Sequence, residues 1–422
     1  MKDKVYNLIV IILYCVLYDF IYKNYMCVWF LYMGVPDSHL TGYLYYQFII
    51  LSAIPVLFNK GFVTVASGIS LFIYVLLYIP IIYATSIVPI SSGSNILFAF
   101  VAMFLMCSFF ATDKLCLFKK LSRRSRKRIG IHGFEYITIF VMALVLLMNL
   151  NNLRFVNILT QRDVMYDLRA ARGGNALSGY LVSWCQYALL PLLLVYYLRT
   201  RNWIRYFLTF FGFFIIFLIC MLKSTFIMPV LMTVVYFVFE KLKPNRSFLR
   251  YVAMALGGLS ITLYLFIDNT IVYELAAIFV MRMQCIETWL ASIYLNFFET
   301  NPYTYYTHIN IINFITGGYP YNDVLGRTVT EGGMNANASF FLTDGYAAAG
   351  IFGVILSGIF FIIFKSILNS VSKGYNKYYI VAFMISAITG LLNVSLFTAV
   401  FSCGFLIFFL CLKYINLKEF EE

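Results

Sequence analysis

Runs of about twenty predominantly apolar residues recur along almost the whole chain, and this feature leaves few folds open. A helix needs roughly 20 such residues to cross the hydrocarbon core of a bilayer, with about 17–25 tolerated. Runs of this kind lie near 5–20, 44–58, 62–84, 95–112, 134–153, 179–198, 203–222, 225–240, 249–267, 346–367, 379–395 and 397–413. In lipid the backbone must satisfy its own polar groups, which selects helices over open sheets. The sequence therefore predicts an all-α polytopic integral membrane protein with about twelve transmembrane helices. Composition agrees: 62% of the 422 residues are hydrophobic and 12% are charged, where soluble domains carry about 25%. The first run lacks a small-residue cleavage site and reads as a retained helix. Within it, Asp19 and Lys23 are spaced to pair on one helix face.

The net charge of +13 has a topological explanation, since Lys and Arg concentrate in loops on the cytoplasmic side. Segment 113–131 carries eight Lys and Arg. By alternation the turns at 198–205 and 241–246, Lys373, Lys377 and both termini fall on the same side. The basic run 119–128 is also chemically suited to anionic lipid, but topology accounts for it and no nucleic-acid partner is expected. The nine Cys form no C-x-x-C pair and the three His are scattered, so neither a disulfide framework nor a metal site is indicated.

Three regions follow. Residues 1–267 hold nine membrane helices with a short Arg-bearing outer loop at 154–178. Residues 268–345 form a large outer loop containing interfacial helices, including a surface helix over 271–298. Residues 346–422 hold the last three helices and a cytoplasmic tail. Loops as long as 268–345 are usually functional. Pro302, Pro320 and the glycines Gly317, Gly318, Gly326, Gly332 and Gly333 mark its turns.

Arg154, Arg162, Arg169 and Arg172 lie on the side where the charge rule disfavours them. A guanidinium binds phosphate through a planar fork, so this row suggests an anionic ligand such as a lipid-linked pyrophosphate. Lys223, in the turn between two apolar runs, and Arg282 are further phosphate candidates. His308 is the candidate general base, because an imidazole titrates near neutral pH. Glu287 and Glu299 are candidates to act as base or to orient it, as are Asp323, Glu331 and Asp344. There is no D-x-D, no G-x-x-x-x-G-K-[ST], no G-x-S-x-G and no H-E-x-x-H. Metal–nucleotide-sugar sites, ATP-driven pumps and the common hydrolases therefore have no foothold.

The succession Phe297-Phe298, Asn301-Pro302, His308, Tyr319-Pro320, Gly326, Asn335-Ala336-Asn337, Asp344-Gly345 and Gly350 with Gly353 resembles the Wzy-type oligosaccharide repeat-unit polymerases of O-antigen and capsule. The turn at Lys223-Ser224 and the Arg-bearing loop look similar too. The resemblance implies a metal-independent glycosyltransferase of the bacterial inner membrane that needs no cofactor. Its donor and acceptor would be undecaprenyl-pyrophosphate-linked oligosaccharides, met at the periplasmic face. A flippase and a chain-length regulator would be further partners, with inner-membrane lipid around it. The resemblance makes Tyr319, Asn335, Asn337 and Asp344 glycan contacts, and Tyr303, Tyr305, Tyr306 and Tyr321 stacking faces. An O-antigen ligase would use the same donor, and a flippase for the lipid-linked unit is the alternative from another class.

Overall fold

The computed structural model describes residues 2–36, 40, 42–88, 92–122, 128–156, 164, 165, 167, 168, 175–340 and 342–421. All regular elements among them are helical, and nine helices are long and apolar enough to cross a membrane. The chain divides into two compact units.

The first unit spans Met1–Leu115, Pro244–Ser366 and Leu392–Leu396. It contains α1 (Lys2–Trp29), α2 (Tyr43–Phe58), α3 (Val65–Ile87) and α4 (Ser92–Ala111). After the other unit's helices the chain returns, and its remaining helices are labelled in chain order below.

The second unit spans Cys116–Lys243, Ile367–Leu391 and Phe397–Glu422. It begins with α5 (Ile131–Met148), α6 (Ala176–Arg199), α7 (Trp203–Cys220) and α8 (Lys223–Leu242). Back in the first unit come α9 (Phe248–Leu265), α10 (Thr270–Thr300), the short α11 (Asn310–Thr316) and most of α12 (Leu342–Val371). The second unit closes with α13 (Lys377–Leu391). The run expected as one span over 397–413 is instead two short helices, α14 (Leu396–Phe401) and α15 (Phe405–Tyr414). They are separated where Gly404 takes φ +77°, a left-handed value that glycine adopts without steric cost.

The segment expected as one large loop, 268–345, also differs. Its first part is α10, a helix of 31 residues that meets the length and hydropathy of a span and is mostly buried in protein. Two of its buried polar residues face neighbouring helices: Gln284 Nε2 donates to Ser260 Oγ at 2.8 Å, and Thr288 Oγ1 donates to Pro80 O at 2.8 Å. Trp289 Nε1 donates to Met33 O at 2.7 Å.

Two spans widen into a π turn just before a proline: Tyr74–Tyr78 before Pro80, and Cys185–Leu189 before Pro191. A proline ring clashes with the carbonyl four residues back and removes one ladder hydrogen bond, which opens that turn. The expected Asp19–Lys23 pair forms at 2.8 Å, and the Tyr83 hydroxyl donates to the other Asp19 oxygen at 2.7 Å.

Candidate functional site

Two of the candidate residues, His308 and Asp344, converge in the first unit, where the turn after α10 meets the start of α12. Tyr305 and Tyr306 both take left-handed φ values, +49° and +64°. For bulky residues this costs roughly 1–2 kcal/mol each. Two backbone bonds hold the strain: Thr304 N donates to Ala347 O at 2.9 Å and Tyr305 N to Ala348 O at 2.8 Å. The reversal brings His308 back over Thr304.

On the other side, α12 is broken at Ala349 and Gly350, the latter with φ +58°. The break folds the first limb onto the second, so that Gly345 and Gly353 meet backbone to backbone. A Cβ on Gly345 would lie 2.7 Å from Gly353 O, and one on Gly353 would lie 2.0 Å from Gly345 O. Asp344 is thereby presented to His308. His308 Nε2 lies 2.7 Å from Asp344 Oδ1, and Nδ1 lies 2.7 Å from Thr304 Oγ1. The two side chains are 7% and 1% exposed, so both ring nitrogens are engaged and sealed. Tyr306 stacks on the imidazole and donates to Gly353 O at 3.1 Å. Burial pushes its phenol up to about 12, which keeps the proton on the donor at neutral pH.

Glu287 is buried, and its Oε2 has no hydrogen-bond partner among the described residues. Ser339 O accepts from Asp344 N at 3.1 Å, and the Ser339 hydroxyl lies 2.8 Å from Thr343 Oγ1. Ser339, Asp344, His308 and Thr304 thus form one connected polar cluster. Glu299 and Arg282 are exposed on α10; Arg282 acts electrostatically on Glu287.

The 320–332 stretch of the same unit holds a polar pocket of about 360 Å³, lined by Pro320, Tyr321, Asn322, Asp323, Arg327, Thr328 and Gly332. Tyr321 is fixed by its hydroxyl on Pro302 O and by its ring against Phe297. Tyr319 stands edge-on to Tyr321 and donates to Asp323 O at 3.0 Å. Asp323 Oδ1 accepts from Val324 N at 2.7 Å. Gly326 supports the loop from behind: its carbonyl accepts from Ala336 N at 2.8 Å, and a Cβ there would collide with Asn335 Oδ1.

The expected glycan contacts separate on this map. Tyr319 borders the pocket, and Asn335 and Asn337 are exposed. Asp344, expected to meet glycan, is buried on His308, where it has no face for a sugar. His308, the candidate general base, has both ring nitrogens on protein partners, Asp344 and Thr304. Thr304, Ser339 and Arg327 do not stand out in the sequence. Nothing in their local pattern separates them from ordinary loop residues.

The phosphate candidates Arg154 and Lys223 belong to the second unit. Arg154 is exposed and donates to Leu153 O at 3.0 Å. Leu153, Val156, Met165 and Leu168 pack on Phe217, Leu218 and Met221, which anchors this segment next to the turn that begins α8 at Lys223. Arg162, Arg169 and Arg172 lie outside the described residues. No protein-family profile, curated protein or solved structure matches this chain.

Proposed function

We propose that this chain is a membrane glycosyltransferase that polymerises undecaprenyl-pyrophosphate-linked oligosaccharide repeat units into O-antigen or capsular polysaccharide. In this reading about twelve spans sit in the bacterial inner membrane and the region after α10 faces the periplasm. One observation carries it: residues through which the sequence resembles the Wzy-type polymerases pack against one another. His308 contacts Asp344, Gly345 contacts Gly353, and Gly326 contacts Asn335-Ala336. The same unit carries an open polar pocket in its 320–332 stretch.

The reaction breaks the bond between the anomeric carbon of the growing glycan and its pyrophosphate. It forms a bond from that carbon to an acceptor hydroxyl, whose proton is released. Tyr321 offers a face for sugar stacking, while Asn322, Asp323 and Arg327 offer hydroxyl and anion contacts. The outer arginines, Arg154, Arg162, Arg169 and Arg172, bind pyrophosphate in this reading, and fixed cations that meet departing charge are worth several kcal/mol. His308 acts as a positioning residue that ties the 302–308 turn to α12 through Asp344.

Deleting the gene and resolving the surface polysaccharide by gel electrophoresis tests the reading. A polymerase deletion leaves single-repeat glycan, restored to long chains by the parent gene and not by Arg327→Ala with Asp323→Ala. Loss of all capped lipid A identifies a ligase, and lipid-linked units trapped inside the cell identify a flippase; either result overturns the proposal.

A further inference from the structure

A second recess lies wholly within the second unit, between α5, α6 and α7, with a volume of about 310 Å³. Ile139, Met142, Leu190, Leu208 and Phe211 line its walls. Gly212 allows the close approach of Leu190, whose Cδ2 would lie 3.0 Å from a Cβ at that position. The volume is at the low end for small-ligand sites, roughly 300–1,000 Å³, enough for a segment of one hydrocarbon chain.

Charge is confined to one end. Glu135 and Arg205 line the recess there, near the first turns of α5 and α7. Arg205 Nη1 lies 3.2 Å from Glu135 Oε2 and 3.1 Å from His132 Nδ1. Its guanidinium sits 5.8 Å from the centre of the Tyr197 ring. These hydrogen bonds use Nη1 alone of the fork. Glu135 is the one acid in the lining, whereas the neighbouring turn adds the exposed Arg201, with Arg199 paired to Glu240 at 3.8 Å. The excess at this end is cationic, and the loop charges assign this end to the cytoplasmic side. The inner leaflet presents anionic headgroups to such basic, inter-helical sites.

We propose that the recess binds an anionic diacyl phospholipid, with one acyl chain along α5 and α7 and the phosphate on Arg205. Glu135 holds the guanidinium in place and competes with the phosphate for it.

The full-length protein, delipidated in detergent, is titrated by native mass spectrometry with phosphatidylglycerol, phosphatidylcholine and undecaprenyl phosphate. Phosphatidylglycerol should bind at least about tenfold more tightly than phosphatidylcholine, whose choline cation neutralises its own phosphate and is repelled by the basic end, since contacts between charged partners are worth a factor of ten or more. Arg205→Ala should abolish that preference, and Arg205→Lys should keep part of it. Met142→Trp should block both phospholipids by filling the recess. Glu135→Gln should strengthen phosphatidylglycerol binding, the opposite of what a purely structural ion pair gives. Should Arg205→Ala fail to fold, the Glu135→Gln increase carries the test. Equal binding of the two phospholipids, or weaker binding by Glu135→Gln, overturns the proposal. Undecaprenyl phosphate outcompeting phosphatidylglycerol also overturns it and assigns the recess to the carrier lipid.

Discussion

Lys365 and Asp113 form an ion pair of 2.8 Å whose side chains are 1% and 0% exposed. The ammonium also donates to Ser70 Oγ at 3.0 Å and to Phe109 O, and the Ser70 hydroxyl donates to Asp113 Oδ1 at 2.7 Å. The arrangement pins α12 to the end of α4 and to α3. A buried pair gains little over a well-packed apolar replacement, but removing one partner strands a charge, typically at about 3–5 kcal/mol. Lys365→Met should therefore collapse thermal stability in detergent, and Lys365→Met with Asp113→Leu should recover most of it. Recovery measured by melting and size-exclusion chromatography supports the pinning role. Parent-like melting of the single variant would discard it.

The glycine contacts make a sharper prediction. Gly345→Ala and Gly353→Ala both drive a methyl group into backbone, so the two limbs of α12 must separate and carry Asp344 away from His308. Each variant should lose polymer formation and melt lower by an amount equivalent to about 1–3 kcal/mol or more, the range of overpacking. Gly258→Ala is the matched control, since nothing lies within 4 Å of its Cβ position. In an exposed helix interior that change should be neutral or stabilising by about 0.5–1 kcal/mol.

Much of the fold is legible because the bilayer enforces a simple rule, and helices such as α5, α7 and α8 follow it along their length. Helix α10 is harder to read, because Arg282, Gln284 and Glu287 interrupt its apolar run. Gln284 and Glu287 are buried by neighbouring helices, so a hydropathy scale tuned to lipid undervalues the helix. The site is partly legible for a related reason. His308 and Asp344 each stood out as ionisable residues of the 268–345 region. Their pairing depends on the break at Ala349–Gly350 and on the strained Tyr305–Tyr306 turn, which no local period encodes. The Lys365–Asp113 pair was invisible, since it joins residues 252 positions apart.

Sidedness can be checked at positions the structure makes accessible. Single cysteines at Leu177 and Asn322, both exposed, in a background whose native cysteines are replaced, should react with a membrane-impermeant maleimide in whole cells with permeable outer membranes. Ser178 is a poorer reporter, being buried with its hydroxyl on Asn149 at 2.8 Å. Cysteines at Arg201 and Lys119, exposed on the side assigned to the cytoplasm, should react only after lysis. Labelling of Lys119→Cys in intact cells would invert the topology.

The outer arginines can be tested by keeping charge and removing geometry. Arg169→Lys and Arg172→Lys should each lower polymer yield, because a lysine ammonium lacks the planar fork that engages two phosphate oxygens. Chain-length profiles from strains expressing equal amounts of each variant give the readout. Full-length polymer from Ala variants at Arg154, Arg162, Arg169 and Arg172 would remove the pyrophosphate role.

His308 separates holding from proton transfer. With Nε2 on Asp344 and Nδ1 on Thr304, the imidazole serves as a brace, and His308→Ala strands the buried Asp344 carboxylate. A buried group left without its partner costs about 1–3 kcal/mol, more when charged. His308→Ala should therefore lower both melting temperature and turnover. His308→Gln is the deciding variant. Its amide can donate to Asp344, yet it cannot take up a proton at neutral pH. A brace predicts that His308→Gln melts close to the parent, keeps turnover within about tenfold and leaves the pH profile unchanged; a general base predicts a loss of about 10²–10⁴-fold whatever the stability. Turnover of purified lipid-linked repeat units across pH, set against melting curves of the same preparations, distinguishes the two. If Gln proves as inactive as Ala while melting like the parent, the imidazole must swing free of Asp344 during the reaction, and the brace assignment fails.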